Sequence, residues 1–234
     1  MGNSVNRKIH GIFGLVLTVI LLGGCASTRQ ARDVEAAGFL GDYSMLREGG
    51  KGEALRVYIN PKYEQTCNSY DKVMIDPVAI WVRENDGLAE IPSEELQRLV
   101  NYLHGSLVSE LGQYYRIVQT LQPGTLRIRG AITEAEGSWV TLDMVSSFMP
   151  QMLVMTKHKE LTPGTVKFIS TASAEAEIVD AVTGERIAAA VDRRVVDKAP
   201  GGVTDRWNEV ETIFDFWARR LAYRLVNCGA MPPE

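Results

Sequence analysis

Three stretches in the second half of the chain alternate apolar and polar residues almost without a break. In "TLRIRGAIT" (125–133) Leu126, Ile128, Gly130 and Ile132 alternate with Arg127, Arg129 and Thr133. In "STASAEAEIVD" (170–180) Ala172, Ala174, Ala176 and Ile178 alternate with Ser173, Glu175 and Glu177, and "RIAAAVDRRVV" (186–196) follows after the turn "DAVTGE". Side chains of a strand point alternately to its two faces, so this pattern demands a sheet with one buried and one wet face. The short Gly-containing turn makes the last two strands a hairpin. The polar face carries arginines on one strand and glutamates on another. Paired across the sheet, they would each add roughly a few tenths of a kcal/mol.

The buried face needs a cover, and two segments have the right period. In "IPSEELQRLVNYLHGSLVSELGQ" (91–113) Leu96, Leu99, Leu103, Leu107 and Leu111 form one helical stripe. Ser93 is placed to cap it, Glu94 and Glu95 suit its positive end, and Gly112 suits its exit. A second helix over about 204–227 lines up Trp207, Val210, Phe214, Trp217, Leu221 and Leu225, with Arg219, Arg220 and Arg224 near its negative end. "YDKVMIDPVAIWV" (70–82) is apolar on both faces, as an interior strand would be, with a bulge or local edge at Pro77. The expected architecture is an α+β two-layer sandwich. It has a mixed or antiparallel sheet of about five strands and two amphipathic helices packed on one face. The order resembles the small periplasmic domains of the Tol translocation protein and of lipoprotein activators of penicillin-binding proteins, a likeness of fold only.

The other end of the chain reads as an address. The apolar run from Ile12 to Leu22 is eleven residues long, against the roughly 20 a spanning helix needs. Arg7 and Lys8 precede it, and Gly23 and Gly24 follow, which is the layout of an export signal. Leu22-Gly23-Gly24-Cys25 resembles the lipobox of bacterial lipoproteins, which implies a lipid-modified Cys25 at the mature amino terminus; the alternative is a plain secreted protein. Several acyl chains would anchor it firmly, since one alone binds only marginally. Ala26 after the cysteine, where the lipoprotein family carries an aspartate for inner-membrane retention, points to the periplasmic face of the outer membrane. The chain divides into a signal peptide (1–24), a lipidated terminus and tether (25–54) and one domain (55–234). Within the tether, Phe39, Leu40, Tyr43 and Leu46 of "GFLGDYSML" are too apolar for a linker and are expected to dock on the domain.

Removing residues 1–24 from the 234 leaves 210, enough for one domain with a sizeable core, and moves the formal net charge from −4 to −6. Nothing in that balance suggests nucleic acid, which needs clustered Lys and Arg. With Cys25 acylated, Cys67 and Cys228 remain in a compartment that permits disulfides, and a bridge between them is expected; two buried free thiols are the other reading.

"GFLGDYSML", "YDKVMIDPV", "ASAEAEIVDAVTGERIAAAVDRR" and "FDFWARRL" together resemble the bacterial lipoproteins grouped as domain of unknown function 3313, in that family's order from about Gly38 to Leu225. The resemblance implies a lipid-anchored envelope protein and carries over no catalytic residue.

Signs of chemistry are sparse. His104 sits at the edge of the leucine stripe and His158 in a Lys-flanked stretch, neither at metal-ligand spacing, and no G-x-S-x-G or S-x-x-K motif is present. The paired carboxylates Glu134 and Glu136, read as lying in a loop, and Glu175 and Glu177, on a wet strand face, leave a cell-wall hydrolase as the one enzymatic reading. Asp192-Arg193-Arg194 reads either as a carboxylate or phosphate grip or as ion pairing with the neighbouring glutamates. In "WVTLDMVSSFMPQMLVM" (139–155), Met144, Phe148, Met149, Met152 and Met155 suit an adaptable contact surface for a partner or lipid; core filling and copper ligation are the alternatives. No enzyme activity, cofactor or metal is expected. The protein is read as a lipid-anchored binding or assembly-accessory module for another envelope component, held to the membrane through Cys25. The alternative is a lipid or small-molecule carrier with its pocket under 139–155.

Overall fold

Three strands of twelve residues each, β7 (Thr125–Glu136), β8 (Ile169–Asp180) and β9 (Arg186–Asp197), form the centre of the sheet as two antiparallel ladders. A computed structural model describes residues 28–82, 87–137, 169–197 and 207–230. The expectations placed on Cys25, His158, Met144, Phe148, Met149, Met152 and Met155 fall outside those residues.

The sheet is larger than the sequence pattern announces. Among the described residues it has nine strands rather than about five. Besides the central three they are β1 (Arg29–Gln30), β2 (Arg47–Glu48), β3 (Arg56–Ile59), β4 (Lys72–Ile75), β5 (Ala79–Ile80) and β6 (Arg116–Ile117). The order is β2-β3-β9-β8-β7-β4-β6, with β1 also on β9 and β5 also on β7. Strands β4 and β5 run parallel to β7 and β6 parallel to β4, so the sheet is mixed. The extra strands are two to four residues long and show no period in the sequence, which is why alternation did not reveal them. The single strand expected over 70–82 is broken between β4 and β5, where Pro77 has no N–H to give to the ladder.

Two long helices cover one face: α2 (Ser93–Leu111) and α3 (Asn208–Val226), with a short α1 (Tyr63–Thr66) as a third. On α2 the stripe Leu99, Leu103, Leu107 and Leu111 is buried as expected. The start of α2 differs from expectation. Pro92 holds the capping position without a side-chain bond, and Ser93 is already helical. The two helices are joined by a polar seam in which Tyr102 and Ser106 donate to Asp215 (3.1 and 2.7 Å) and Arg98 donates to Glu211 (2.8 Å).

Cys67 and Cys228 form a disulfide with Cα atoms 5.4 Å apart, tying the end of α1 to the end of α3. Helix α3 closes with two reversed bonds, Gly229 N–H to the Arg224 carbonyl (2.7 Å) and Cys228 N–H to the Leu225 carbonyl (3.3 Å). That termination calls for a left-handed residue and usually takes glycine. Here Cys228 adopts it with φ 53°, the one non-glycine with positive φ among the described residues. The bridge to Cys67 holds it there.

The bridge spans 161 residues. Reduction, or Cys228→Ala, is expected to lower the unfolding free energy by about 2–4 kcal/mol. Urea midpoints with and without reductant test this, and coincident curves would refute it.

Candidate functional site

The face away from the helices was expected to be wet, and over β8 and β9 it is not. Glu175 is fully buried and Glu177 is 6 % exposed. Their cover is the segment 34–46. Leu40 is buried against Ala189 and Val191, with Val34, Phe39, Tyr43 and Leu46 packed around it. Docking of these apolar residues follows the sequence reading; the burial of glutamates beneath them does not. The covering segment brings its own donors. Glu175 accepts from the Ala37 and Leu40 N–H groups and from the Tyr43 hydroxyl. Arg186 bonds Glu177 (2.9 Å) while donating to the Asp42 and Leu40 carbonyls (2.9 and 3.2 Å). Arg129 completes the group at 2.6 Å from Glu177. These arginines do pair with glutamates across the sheet; the glutamates are buried, while Arg129 keeps contact with water.

At the far end of β7 a bulge re-aims the chain. Ile132 pairs with Ala174 but Glu134 pairs with Ser173, so Thr133 is the extra residue. After it the parity reverses. Glu134 and Glu136 therefore belong to the strand, not to a loop, and face the same side as Ser173 and Arg193. Arg193 grips Glu134 with two bonds (2.6 and 2.8 Å), and Ser173 and Thr171 add hydroxyls at 2.5 and 3.2 Å. Glu134, Glu136, Ser173 and Arg193, with Asp33 and Glu35, line an open polar cleft of about 350 Å³. Burial pushes the Glu134 carboxyl up, but the Arg193, Ser173 and Thr171 donors more than offset it and hold it below its ordinary 4.5. A carboxyl held that low is a poor general acid or base at neutral pH. The Ser173 hydroxyl is committed to the same ion pair. Of the two readings of Arg193, ion pairing is the one observed.

The helix-covered face holds the second cavity, and it is apolar. Its central positions, Gly130 on β7, Ala174 and Ala176 on β8, and Ala188 and Ala190 on β9, are all partly accessible rather than buried. The larger side chains Ile132 and Ile178 at the ends of the same rows are buried, as is Ala172. The alanines leave a gap that α2 and α3 roof but do not fill. One lobe of about 180 Å³ is lined by Leu103 and Leu107 from α2, Trp217 and Leu221 from α3, and the alanine floor. A second lobe of about 100 Å³ continues past Leu221 toward Tyr63 and Gly229. The two share Ile128, Ala176, Ala190, Leu221 and Arg224. A methyl group on Gly130 would meet the Ala176 Cβ at 3.7 Å, ordinary contact, so the gap is not forced by backbone crowding.

One end of this pocket is charged. Arg194 lies over the Phe216 ring at 3.8 Å and donates to Thr28 (2.8 and 2.9 Å). Arg224 is 3.3 Å from Glu53, a carboxylate that Arg47 already holds with two bonds (2.6 and 3.0 Å). Arg220 donates to the Gly52 carbonyl. Asp192 accepts from Trp217 (2.8 Å), Gln30 (2.9 Å) and the Leu55 N–H (3.2 Å). Burial holds the Arg194 and Arg224 guanidiniums below their ordinary value; Arg220 adds to this, and Asp192 and Glu53 oppose it.

Sequence reasoning did not find this pocket. It read the even positions of 172–178 as a filled apolar face and placed a ligand pocket under 139–155. The signal was present in the run of Gly and Ala at adjacent inward positions, which supplies no volume. His104 is half-buried on α2. Among the described residues no group of three or more His, Cys, Asp or Glu is arranged to hold a metal ion, and no helix is long and apolar enough to cross a membrane.

The family described as protein of unknown function (DUF3313) matches residues 35–221. The chain belongs to it. The Escherichia coli K12 protein "uncharacterized lipoprotein YdcL" is 25% identical over 182 residues, covering 77% of this chain and 78% of that one. Among solved structures, a Xanthomonas campestris protein of the DUF330 family matches at 10% identity and TM-score 0.40, over 72% of this chain and 90% of its own. The lipoprotein GNA1162 of Neisseria meningitidis matches at 9% identity and TM-score 0.31, over 67% and 98%. Likenesses so distant add nothing to the reading of either cavity.

Because Glu134 is depressed in the folded state, the stability it contributes is complete above its ordinary value. It is lost as pH falls from there through the folded value. Glu134→Gln is therefore expected to cost about 1–3 kcal/mol at pH 7 and to flatten the acid limb of the stability profile. Urea unfolding from pH 7 to 3 measures both; an unchanged acid limb would contradict the assignment.

Proposed function

We propose that the protein is a lipid-anchored, non-catalytic binding module of the bacterial envelope that holds an apolar ligand between α3 and the sheet. The observation that carries this reading is the accessible floor of Gly130, Ala174, Ala176, Ala188 and Ala190 beneath two helices. A folded core normally fills such a gap, because unfilled apolar volume destabilises it. A concave, mostly apolar site with a few polar groups at one end is the usual form of a small-molecule pocket. On this reading the envelope component bound is a small amphiphile carried in the helix–sheet layer; the segment 139–155, where the sequence reading put a carrier's pocket, lies outside the described residues.

Two findings speak against a hydrolase. Glycoside cleavage needs a carboxyl whose affinity for its proton is raised, and Glu134 is shifted the other way by Arg193. Glu175 is buried under residues 37–43 with its oxygens occupied.

Anchoring is read from the Leu22–Cys25 pattern and from the lipoprotein relative in Escherichia coli, with the periplasmic face of the outer membrane as its site. Radiolabelled palmitate is expected on the wild-type chain and absent from Cys25→Ser. Label on both, or on neither, would remove the anchor.

The pocket has its own test. Ala176→Leu places a side chain in the gap without crowding a packed core, so stability should stay within about 1 kcal/mol of wild type. Solvent extracts of the wild-type protein, read by mass spectrometry, should contain a noncovalently bound amphiphile that extracts of Ala176→Leu lack. Identical extracts would exclude the pocket as a ligand site.

A further inference from the structure

The chemistry around the pocket narrows the ligand beyond "apolar". Its two lobes adjoin, sharing a wall that includes Ala176, Ala190 and Leu221. An apolar cavity of about 150 Å³ holds a benzene-sized group. Lobes of about 180 and 100 Å³ therefore match the bulk of a single alkyl chain better than that of a two-chain lipid.

Among the described residues, the rim holds more arginines than carboxylates. Arg47, Arg194, Arg220 and Arg224 surround two carboxylates, Glu53 and Asp192. Glu53 is shared between Arg47 and Arg224, and Asp192 is 3.9 Å from Arg194 while its oxygens accept from Trp217, Gln30 and Leu55. Arg220 has a backbone carbonyl as its partner and lines the larger lobe. Guanidiniums at such a rim, Arg194 and Arg224 largely buried and Arg220 partly so, favour an anion, and their forked donors match carboxylate or phosphate oxygens. A neutral ligand leaves that charge unanswered and a cationic one is repelled.

We propose that the pocket takes a single-chain amphiphile with an anionic head group, its alkyl chain on the alanine floor and its head group held by Arg220 with Arg194 and Arg224. This rests on the reading of the pocket as a ligand site. The chain would enter at the Gly52–Ala54 rim and extend past Leu221 toward Tyr63. Of the three arginines, Arg220 is the one whose removal least disturbs the fold. Arg194 and Arg224 also hold Thr28, Glu53 and Gly229 in place.

The test uses envelope membranes containing the full chain, labelled with diazirine-bearing dodecanoate or, separately, the dodecanol analogue of equal length. Peptides crosslinked from α3, β8 and β9 are quantified by mass spectrometry. The carboxylate should label them about tenfold more than the alcohol, the size of one charge-assisted hydrogen bond. Arg220→Gln should bring the two probes level while leaving alcohol labelling unchanged. Equal labelling of the wild-type pocket by both probes overturns the head-group assignment and leaves the pocket reading standing. Absence of pocket labelling by either probe overturns both. The wild-type ratio decides the proposal by itself, and the variant assigns it to Arg220.

Discussion

Everything functional in this fold depends on the register of β7, β8 and β9. Side chains alternate every residue, so a slip of one position would send every inward group outward. In the observed register Ile128 faces Ile178 and Ala188 across the sheet, while Arg129 faces Glu177. The same ladder thus carries an apolar floor on one side and an ionic network on the other. A departure from it in the β7–β8 ladder, the bulge at Thr133, turns Glu134 toward Ser173 and Arg193. Without the bulge Glu134 would point to the helix side, away from the Arg193 and Ser173 donors, and its burial there would be costly.

The ionic side shows how an acidic strand becomes core. Glu175 and Glu177 lose their water to residues 34–46, a loss tolerable only when every carboxylate oxygen gains a donor. Backbone N–H groups of Ala37 and Leu40 and the Tyr43 hydroxyl serve one carboxylate; Arg129 and Arg186 serve the other. Arg186 also takes up carbonyls of the covering segment. The segment is thereby fixed by groups of both signs. Strand β1, at its upstream end, joins the edge of β9. The segment that links the domain to Cys25 is therefore part of the folded unit from residue 28 onward.

The helix side follows a different logic. Trp217 and Leu221 line the lobe above the alanines, the Asp215 seam ties α2 to α3, and the disulfide ties the end of α3 to α1. The floor residues are too small to fill the space beneath, so a gap remains. Its cationic rim is built from α3, β9 and the turn before β3. Closure of the layer and placement of charge are thus one arrangement.

Much of this was legible beforehand. The three long strands, the leucine stripe of α2, the face of α3, the interruption at Pro77 and the pairing of Cys67 with Cys228 all follow from local period or from counting, because each depends on residues close in sequence or few in number. The short strands β1, β2, β3 and β6 carry no period and exist only because a longer neighbour offers an edge. The burial of Glu175 and Glu177 was invisible for the same reason: their cover lies some 130 residues upstream. Outside the bulge at Thr133, alternation alone sets which residues share a face, since that is a matter of backbone geometry. Packing settles which face meets water, which small residues border a void and how many carboxylates among the described residues stand beside the rim arginines. Solvation and charge balance are properties of what packs alongside a residue, and period two says nothing of that.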